Sequence, residues 1–177
     1  MTKEDIRALS IWKMNLKEGS IALDIGAGTG TITVQASKIS RKGIVYSIER
    51  DNDAIITTKK NLEKFKCNNV VLDEGEALDI LKKYKDENKR FDSIFIGGSG
   101  GNLEEIIMLS NELIQNEGTI VMNFITLDNA YKAIETVKKL NYAVDISQVN
   151  ISKNRGQSYM MIANNPIYIV QCVRSVK

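Results

Sequence analysis

A chain of 177 residues with 43% hydrophobic and 26% charged content suits one domain, able to bury roughly 70% of its unfolded surface. A formal net charge of +2 is too small to mark a nucleic-acid binder, and no apolar run approaches the length of a membrane span. The lack of any histidine excludes His-dependent triads, imidazole metal sites and histidine general bases together, so acid–base chemistry falls to carboxylate, Lys, Tyr, water or the substrate.

Thr2-Lys3-Glu4-Asp5 reads as a helix start with Thr2 as N-cap, and it is too polar for a signal peptide, so cytoplasm is the expected compartment. Ile6, Leu9, Lys13 and Leu16 fall on or near one packing face. Ile21 to Ile25 then form an apolar run that reads as a buried strand, broken by Gly26, Gly28 and Gly30 before a helical pattern opens at Thr31. A G-x-G-x-G turn is a weak signal alone, and plain tight-turn chemistry also explains it. Its form narrows the ligand. A P-loop needs Lys and Ser/Thr after the last glycine, and the dinucleotide fingerprint wants Gly or Ala where Thr31 stands. With an acidic residue in front, Asp24-Ile25-Gly26-Ala27-Gly28-Thr29-Gly30 resembles motif I of the class I S-adenosylmethionine-dependent methyltransferases.

Ile32, Ala36 and Ile39 give the next helix its inner face, and Lys38, Arg41, Lys42 and Gly43 end it. Ile44 to Ile48 is a second buried strand closed by Glu49. An acidic residue there, about 20 or more residues past the glycine loop, is placed for ribose hydroxyls; an exposed turn residue is the plainer alternative. Asp51 starts a helix carried by Ile55, Leu62 and Phe65. Asn69 to Asp73 is a third strand, and Gly75, Glu76 and Ala77 after it are candidates for adenine by position, or an ordinary helix start. A short helix from Ala77 to about Tyr84 runs into a charged stretch, Lys82 to Arg90, that reads most simply as a solvated loop.

Phe91 to Ile96 is a fourth strand, and it ends in Gly97-Gly98-Ser99-Gly100-Gly101. Lying between a buried strand and a helix with Leu103, Ile106, Ile107, Ser110 and Leu113 inward, this run is no flexible linker. Five small residues let the backbone approach a bulky ligand and leave open N–H groups for a carboxylate. Asn102 is placed to cap that helix, Asn116-Glu117-Gly118 turns into a strand from Thr119 to Phe124, and a helix runs from about Leu127 to Leu140. Segments 142–151, 159–163 and 167–173 supply the final strands, with Lys153 to Ser158 as a polar loop. Cys67 and Cys172 stand apart and read as small core residues.

Strand and helix alternate without a linker, which specifies one α/β domain over 1–177, a mostly parallel sheet covered on both faces, and ligands at the carboxyl ends of its strands. The glycine loop, Glu49, Gly75–Ala77 and Gly97–Gly101 all fall at such ends.

Five stretches together, Thr2–Ala8, Asp24–Gly30, Val45–Arg50, Phe95–Gly101 and Asn165–Tyr168, resemble the decarboxylating precorrin methyltransferases of cobalamin biosynthesis over almost the full chain. The glycine loop is generic to class I methyltransferases; the Ile-Gly-Gly-Ser-Gly-Gly run is more specific. The resemblance implies a Rossmann-like class I methyltransferase fold, with a seven-stranded sheet whose last strand is antiparallel. It implies S-adenosyl-L-methionine as cofactor, held by Thr2, Asp24, Gly26, Ala27, Gly28, Thr29, Gly30, Glu49, Glu76 and Ala77. It places Gly97, Gly98, Ser99, Gly100, Gly101 and Arg155 against a tetrapyrrole. The reaction expected is methylation of carbon-15 with loss of an acetate carboxyl. Without a fused second methyltransferase domain the chain is similar to the cobalt-early, anaerobic version, whose substrate is cobalt-precorrin-6B. A homotetramer is implied, and the companion methyltransferase of the pathway is an expected partner. Two departures are a start at Met1, where relatives carry a short preceding segment, and a short loop around Arg155. No metal site, nucleic acid or membrane contact is expected.

The rival within the fold is a methyltransferase acting on tRNA or another substrate. Amino-group enzymes carry Asn/Asp-Pro-Pro-Tyr/Phe after the fourth strand, whereas Asn165-Pro166-Ile167-Tyr168 lies near the last strand, where the single proline reads as a strand-entry residue. A non-catalytic cofactor-binding protein and a nicotinamide-dependent dehydrogenase are the rivals of other classes. Lys153 and Arg155 read equally as receivers of substrate carboxylates or as solvated charges.

Overall fold

The short apolar runs that end in glycine or an acidic residue become the central strands of the computed structural model, which describes residues 3–155 and 158–174, the side chains of 155 and 158 excepted. In the first half α1 (Glu4–Lys13), β1 (Ala22–Ile25), α2 (Thr31–Ile39), β2 (Val45–Glu49), α3 (Asn52–Lys64), β3 (Val70–Glu74) and α4 (Ala77–Asp86) follow in turn. Then come β4 (Phe91–Ile96), α5 (Leu103–Leu113), β5 (Ile114–Phe124), α6 (Leu127–Lys139), β6 (Tyr142–Val149), β7 (Ser152–Arg155), β8 (Ser158–Ala163) and β9 (Ile167–Arg174).

A seven-stranded sheet runs in the order β3-β2-β1-β4-β5-β9-β6. The five strands from β3 to β5 pair in parallel, and β9 inserts antiparallel to both β5 and β6. The mostly parallel sheet with an antiparallel last strand is therefore present. The order reverses between β1 and β4, and a doubly wound sheet opens a crevice at such a point. Strand β1 is buried along its whole length, as a central parallel strand covered by helices on both faces must be. One core layer packs Leu23, Ile25, Ile94, Ile96 and Ile120 under α4, α5 and α6; the other packs Ala22, Val45, Phe95 and Val121 under α1 and α2.

Lys13 of α1 is buried and pairs with Asp145 of β6, and Gln171 Nε2 of β9 donates to the Lys13 carbonyl at 2.7 Å. These contacts fix the first helix across the antiparallel edge of the sheet. Asp51 caps α3 by accepting from the Ala54 N–H at 2.9 Å. Among the described residues no helix is long and apolar enough to cross a membrane.

Several local expectations need correction. The N-cap of α1 is Lys3, and Thr2 lies outside the described residues. Ile39 and Phe65 are exposed, because α2 ends at Ile39 and α3 stops before Phe65, so neither is carried round onto an inner face. Arg41 and Lys42 pair with Glu18 instead of closing the helix. Asn102 occupies the N-cap of α5 without a side-chain cap bond among the described residues. Strand β5 begins at Ile114, which aligns with Phe91, while Thr119 aligns with Ser93; the expected turn at 116–118 is an excursion inside the strand. Cys172 is buried but Cys67 is only half-buried. The segment taken as a polar loop is largely β7, which pairs antiparallel with β8 from Ser152 opposite Ala163. This two-stranded ribbon leaves the main sheet between β6 and β9.

Candidate active site

The chemistry gathers where the parallel strands end. Leaving β1, the chain turns at Gly26 with φ 72°. A Cβ on Gly26 would lie 2.8 Å from the Gly98 carbonyl oxygen and 2.9 Å from its nitrogen, so the β1 and β4 ends meet backbone to backbone only because the residue is glycine. Gly30 forms the N-cap of α2 with φ 70°, so no side chain competes for the first N–H groups of that helix. The loop is held from behind by α3: Thr58 Oγ1 donates to the Gly28 carbonyl and Asn61 Nδ2 to the Thr29 carbonyl, both at 2.8 Å. Thr29 and Gly30 thus support the loop, whereas Gly26, Ala27 and Gly28 line a cavity.

Two carboxylates stand behind this loop. Glu49 is buried at the end of β2; its Oε2 accepts from the Gly28 N–H at 2.6 Å and its Oε1 from the Arg50 and Asp51 N–H groups at 2.9 Å. Three backbone donors hold this carboxylate with capacity to spare for hydroxyl donors, since an ionised carboxyl accepts about four bonds. Asp24 is 1% exposed and accepts from Thr33 Oγ1 at 2.5 Å through Oδ2. Its Oδ1 has no partner among the described residues, yet Asp24 lines the cavity. Burial pushes its pKa up to about 6, against the hydrogen bond from Thr33, and the nearby Glu49 charge adds to the rise. Asp24 therefore carries, beside the cavity, a buried carboxylate oxygen without a donor.

Three cavities meet at the rim. The first, about 260 Å³, runs from Asp24 and the glycine loop beneath α1 to Asn164, Asn165 and Ile167 at the base of the ribbon. The second, about 190 Å³, lies between Glu49, Gly75, Glu76 and Ala77 on one side and Gly98, Ser99 and Gly100 on the other. The third, about 270 Å³, is walled by Gly97, Gly98, Ser99, Leu103, Asn123, Phe124, Ile125 and Asn129. Gly26 borders the first and second, Gly97 the first and third, and Gly98 the second and third. The glycine run after β4 is therefore divided. Gly97, Gly98 and Ser99 face the third cavity, Gly100 turns toward the second, and Gly101 lies outside all three linings. A Cβ on Gly100 would reach 3.2 Å from the Arg50 guanidinium, which pairs with Glu76 at 3.2 Å. The chain reverses within this run, at Gly100 and Gly101 with positive φ.

The outer wall was not legible in the sequence. Lys3, Asp5 and Ile6 of the first helical turn line the first cavity. Lys3 donates to Asn164 Oδ1, and Lys153 of the ribbon pairs with Asp5 at 2.5 Å. The hydrogen bond and charge of Lys153 hold the Asp5 carboxyl below its ordinary range. Lys153 is thus committed to α1, and the side chain of Arg155 lies outside the described residues. Asn123, Phe124 and Ile125 border both the first and third cavities; a lone Asn closing an apolar run carries no motif. Asn165 lines the first cavity and Pro166 leads into β9, whereas an amino-group motif belongs directly after β4 in the chain. Among the described residues there is no group of three or more His, Cys, Asp or Glu that could hold a metal ion.

The precorrin methyltransferase domain family matches residues 1–174. A curated relative from Sulfurisphaera tokodaii, named a probable cobalt-precorrin-6B C(15)-methyltransferase (decarboxylating), is 46% identical over 173 residues, covering 96% of this chain and 88% of the relative. A relative of the same name from Methanococcus vannielii is 39% identical over 172 residues, with coverages of 96% and 90%. Among solved structures, the precorrin-6y C5,15-methyltransferase of Geobacter metallireducens superposes with a TM-score of 0.93 at 36% identity, over 99% of this chain and 90% of that one. The precorrin 8W decarboxylase of Methanobacterium thermoautotrophicum gives 0.89 at 31% identity, over 97% and 91%. With likeness running the length of the chain, in sequence and in fold alike, this protein belongs to the precorrin methyltransferase family.

Proposed function

We propose that the rim binds S-adenosylmethionine and a precorrin, and that the protein methylates carbon-15 of cobalt-precorrin-6B while a neighbouring acetate side chain leaves its carboxyl as carbon dioxide. The observation that carries this reading is the meeting of three cavities at Gly26, Gly97 and Gly98. Such a junction gives separate room to a nucleoside, an amino-acid tail and a large acceptor, all reaching one point.

The residues present fit the cofactor. Glu49 would receive the ribose hydroxyls, with the adenine between Gly75–Ala77 and Gly98–Gly100. The unpartnered Oδ1 of Asp24 suits the amino group of the tail, and the start of α2, uncapped by a side chain at Gly30, suits its carboxylate. When bound, the cofactor supplies an electrophilic methyl group. The chain then has to align a ring carbon with that methyl and keep water out. The electron pair of the broken carboxyl bond flows into the conjugated macrocycle, and in a protein without histidine the proton lost from the methylated carbon and the proton taken up where the carboxyl leaves pass through carboxylate, Lys, Tyr, water or the substrate itself. The third cavity and the apolar wall of Phe124 and Ile125 suit a wide, flat substrate edge. By family likeness we also propose a homo-oligomer, a tetramer, working beside the companion methyltransferase.

Incubation with S-adenosylmethionine and cobalt-precorrin-6B should give a product that has gained one methyl group and lost one carbon dioxide by mass spectrometry. An unchanged tetrapyrrole, with S-adenosylhomocysteine binding intact by calorimetry, overturns the substrate assignment; no saturable S-adenosylhomocysteine binding overturns the cofactor assignment as well.

A further inference from the structure

Asn123 is the penultimate residue of β5, on the face of the sheet that packs under α1, two residues beyond Val121 of that same core layer. It borders the first and third cavities, where the tail end of the donor and the acceptor would meet. Its amide is not free to turn. Ser10, fully buried in α1, donates its one hydroxyl hydrogen to the Ile6 carbonyl at 2.8 Å. The Ser10 oxygen is then an acceptor, and Asn123 Nδ2 donates to it at 2.8 Å, closer than the 3.2 Å to Oδ1. A hydroxyl already committed as a donor cannot also donate to the amide oxygen. Nδ2 is thus committed to Ser10, and Oδ1 is the half of the carboxamide left without a donor, on a residue that borders the cavity.

A neutral acceptor is well chosen for such a place. A carboxylate would repel an acidic macrocycle, and an apolar side chain would offer nothing to hydrogens polarised by a neighbouring cation. We propose that Asn123 binds the methyl-donor side of the site, its carboxamide oxygen accepting from the polarised C–H groups around the sulfonium, and that Ser10 is a positioning residue that holds the amide in this sense. The inference rests on the cofactor reading above and adds to it a residue that discriminates the charged donor from its neutral product.

The test compares binding of S-adenosylmethionine with binding of S-adenosylhomocysteine by calorimetry, since the two differ in the methyl group and the sulfonium charge. In Asn123→Ala the preference for S-adenosylmethionine should fall about threefold relative to the wild type. In Asn123→Asp it should rise about tenfold, because a carboxylate then faces the cation. Ser10→Ala leaves Asn123 in place but frees its amide. It should move the ratio in the direction of Asn123→Ala, and the double variant Ser10→Ala/Asn123→Ala should go no further than Asn123→Ala. Thermal midpoints report folding separately, and a purely structural role would weaken both ligands equally. A ratio unchanged in Asn123→Ala and Asn123→Asp, with both ligands still bound, overturns this inference and leaves the cofactor reading standing. A wild type that binds neither ligand overturns both.

Discussion

Glu49 and Asp24 are both buried carboxylates, but their surroundings give them opposite characters. Glu49 is held by three N–H groups, so Glu49→Gln removes the charge from a carboxylate already surrounded by donors and turns one of its oxygens into a donor itself. S-adenosylhomocysteine affinity should fall about tenfold or more, measured by calorimetry. Asp24 has one hydroxyl partner and an orphaned oxygen, and its pKa is raised from 3.8 to about 6. The folded state therefore holds the proton more tightly than the unfolded chain. Stability is greatest below pH 4 as far as this group decides it, and about 3 kcal/mol is lost as pH rises from about 4 through 6. Asp24→Asn should flatten that slope in thermal melts taken across the same window. An amino group bound at Oδ1 favours the ionised form, so wild-type affinity for S-adenosylhomocysteine should drop as pH falls below about 6, and a variant that shows the same drop as the wild type refutes the assignment. Gly98 shows how one position serves two ligands. A Cβ there meets only Gly26 Cα at 4.0 Å, so Gly98→Val should fold. Its side chain would enter both the second and third cavities, weakening cofactor and tetrapyrrole together.

The strand ends set a stricter limit than any one side chain. Gly26→Ala forces a Cβ against the Gly98 backbone at 2.8–3.0 Å and holds φ at 72°, with backbone on both sides and nothing flexible to yield. A loss of about 2 kcal/mol or more is expected, visible as a drop in thermal midpoint, whereas Gly28→Ala, with nothing within 4 Å of its Cβ, should bear only the cost of its positive φ. At this scale the sequence was informative where burial and period agree. Ile21–Ile25, Ile44–Ile48 and Phe91–Ile96 are apolar runs closed by turn chemistry, and they became β1, β2 and β4. The inner face of α5 was legible for the same reason, and all five of its predicted residues are buried. The ribbon was not. Lys153 and Asn154 pair with Ile162 and Met161, but strands that leave the core need no alternation of polar and apolar residues, so periodicity had nothing to report. The wall formed by Lys3, Asp5, Asn123 and Asn164 was hidden differently, since its members come from three separate parts of the chain, the start of α1, the end of β5 and the turn into β9.

That ribbon also bears on the homo-oligomer proposed above. Tyr159, Met160 and Met161 on β8 are 89%, 66% and 60% exposed, so successive residues on both faces of a two-stranded element present large apolar groups to solvent. A pair of strands has no sheet to shelter it, and an isolated hairpin of this kind is marginal in water. Its base is nevertheless fastened to α1 through Lys153–Asp5 and Lys3–Asn164, which fixes the direction in which it projects. A rigidly directed apolar ribbon suits a second copy of the chain better than a mobile cover for the cavity, because a cover would have to break those ties at every turnover. The variant Met160→Glu places a charge on one face of the ribbon without touching the rim. Light scattering should show a smaller assembly than the wild type, with S-adenosylhomocysteine affinity within about twofold by calorimetry. An unchanged assembly together with a large loss of ligand affinity would instead make the ribbon part of the site itself.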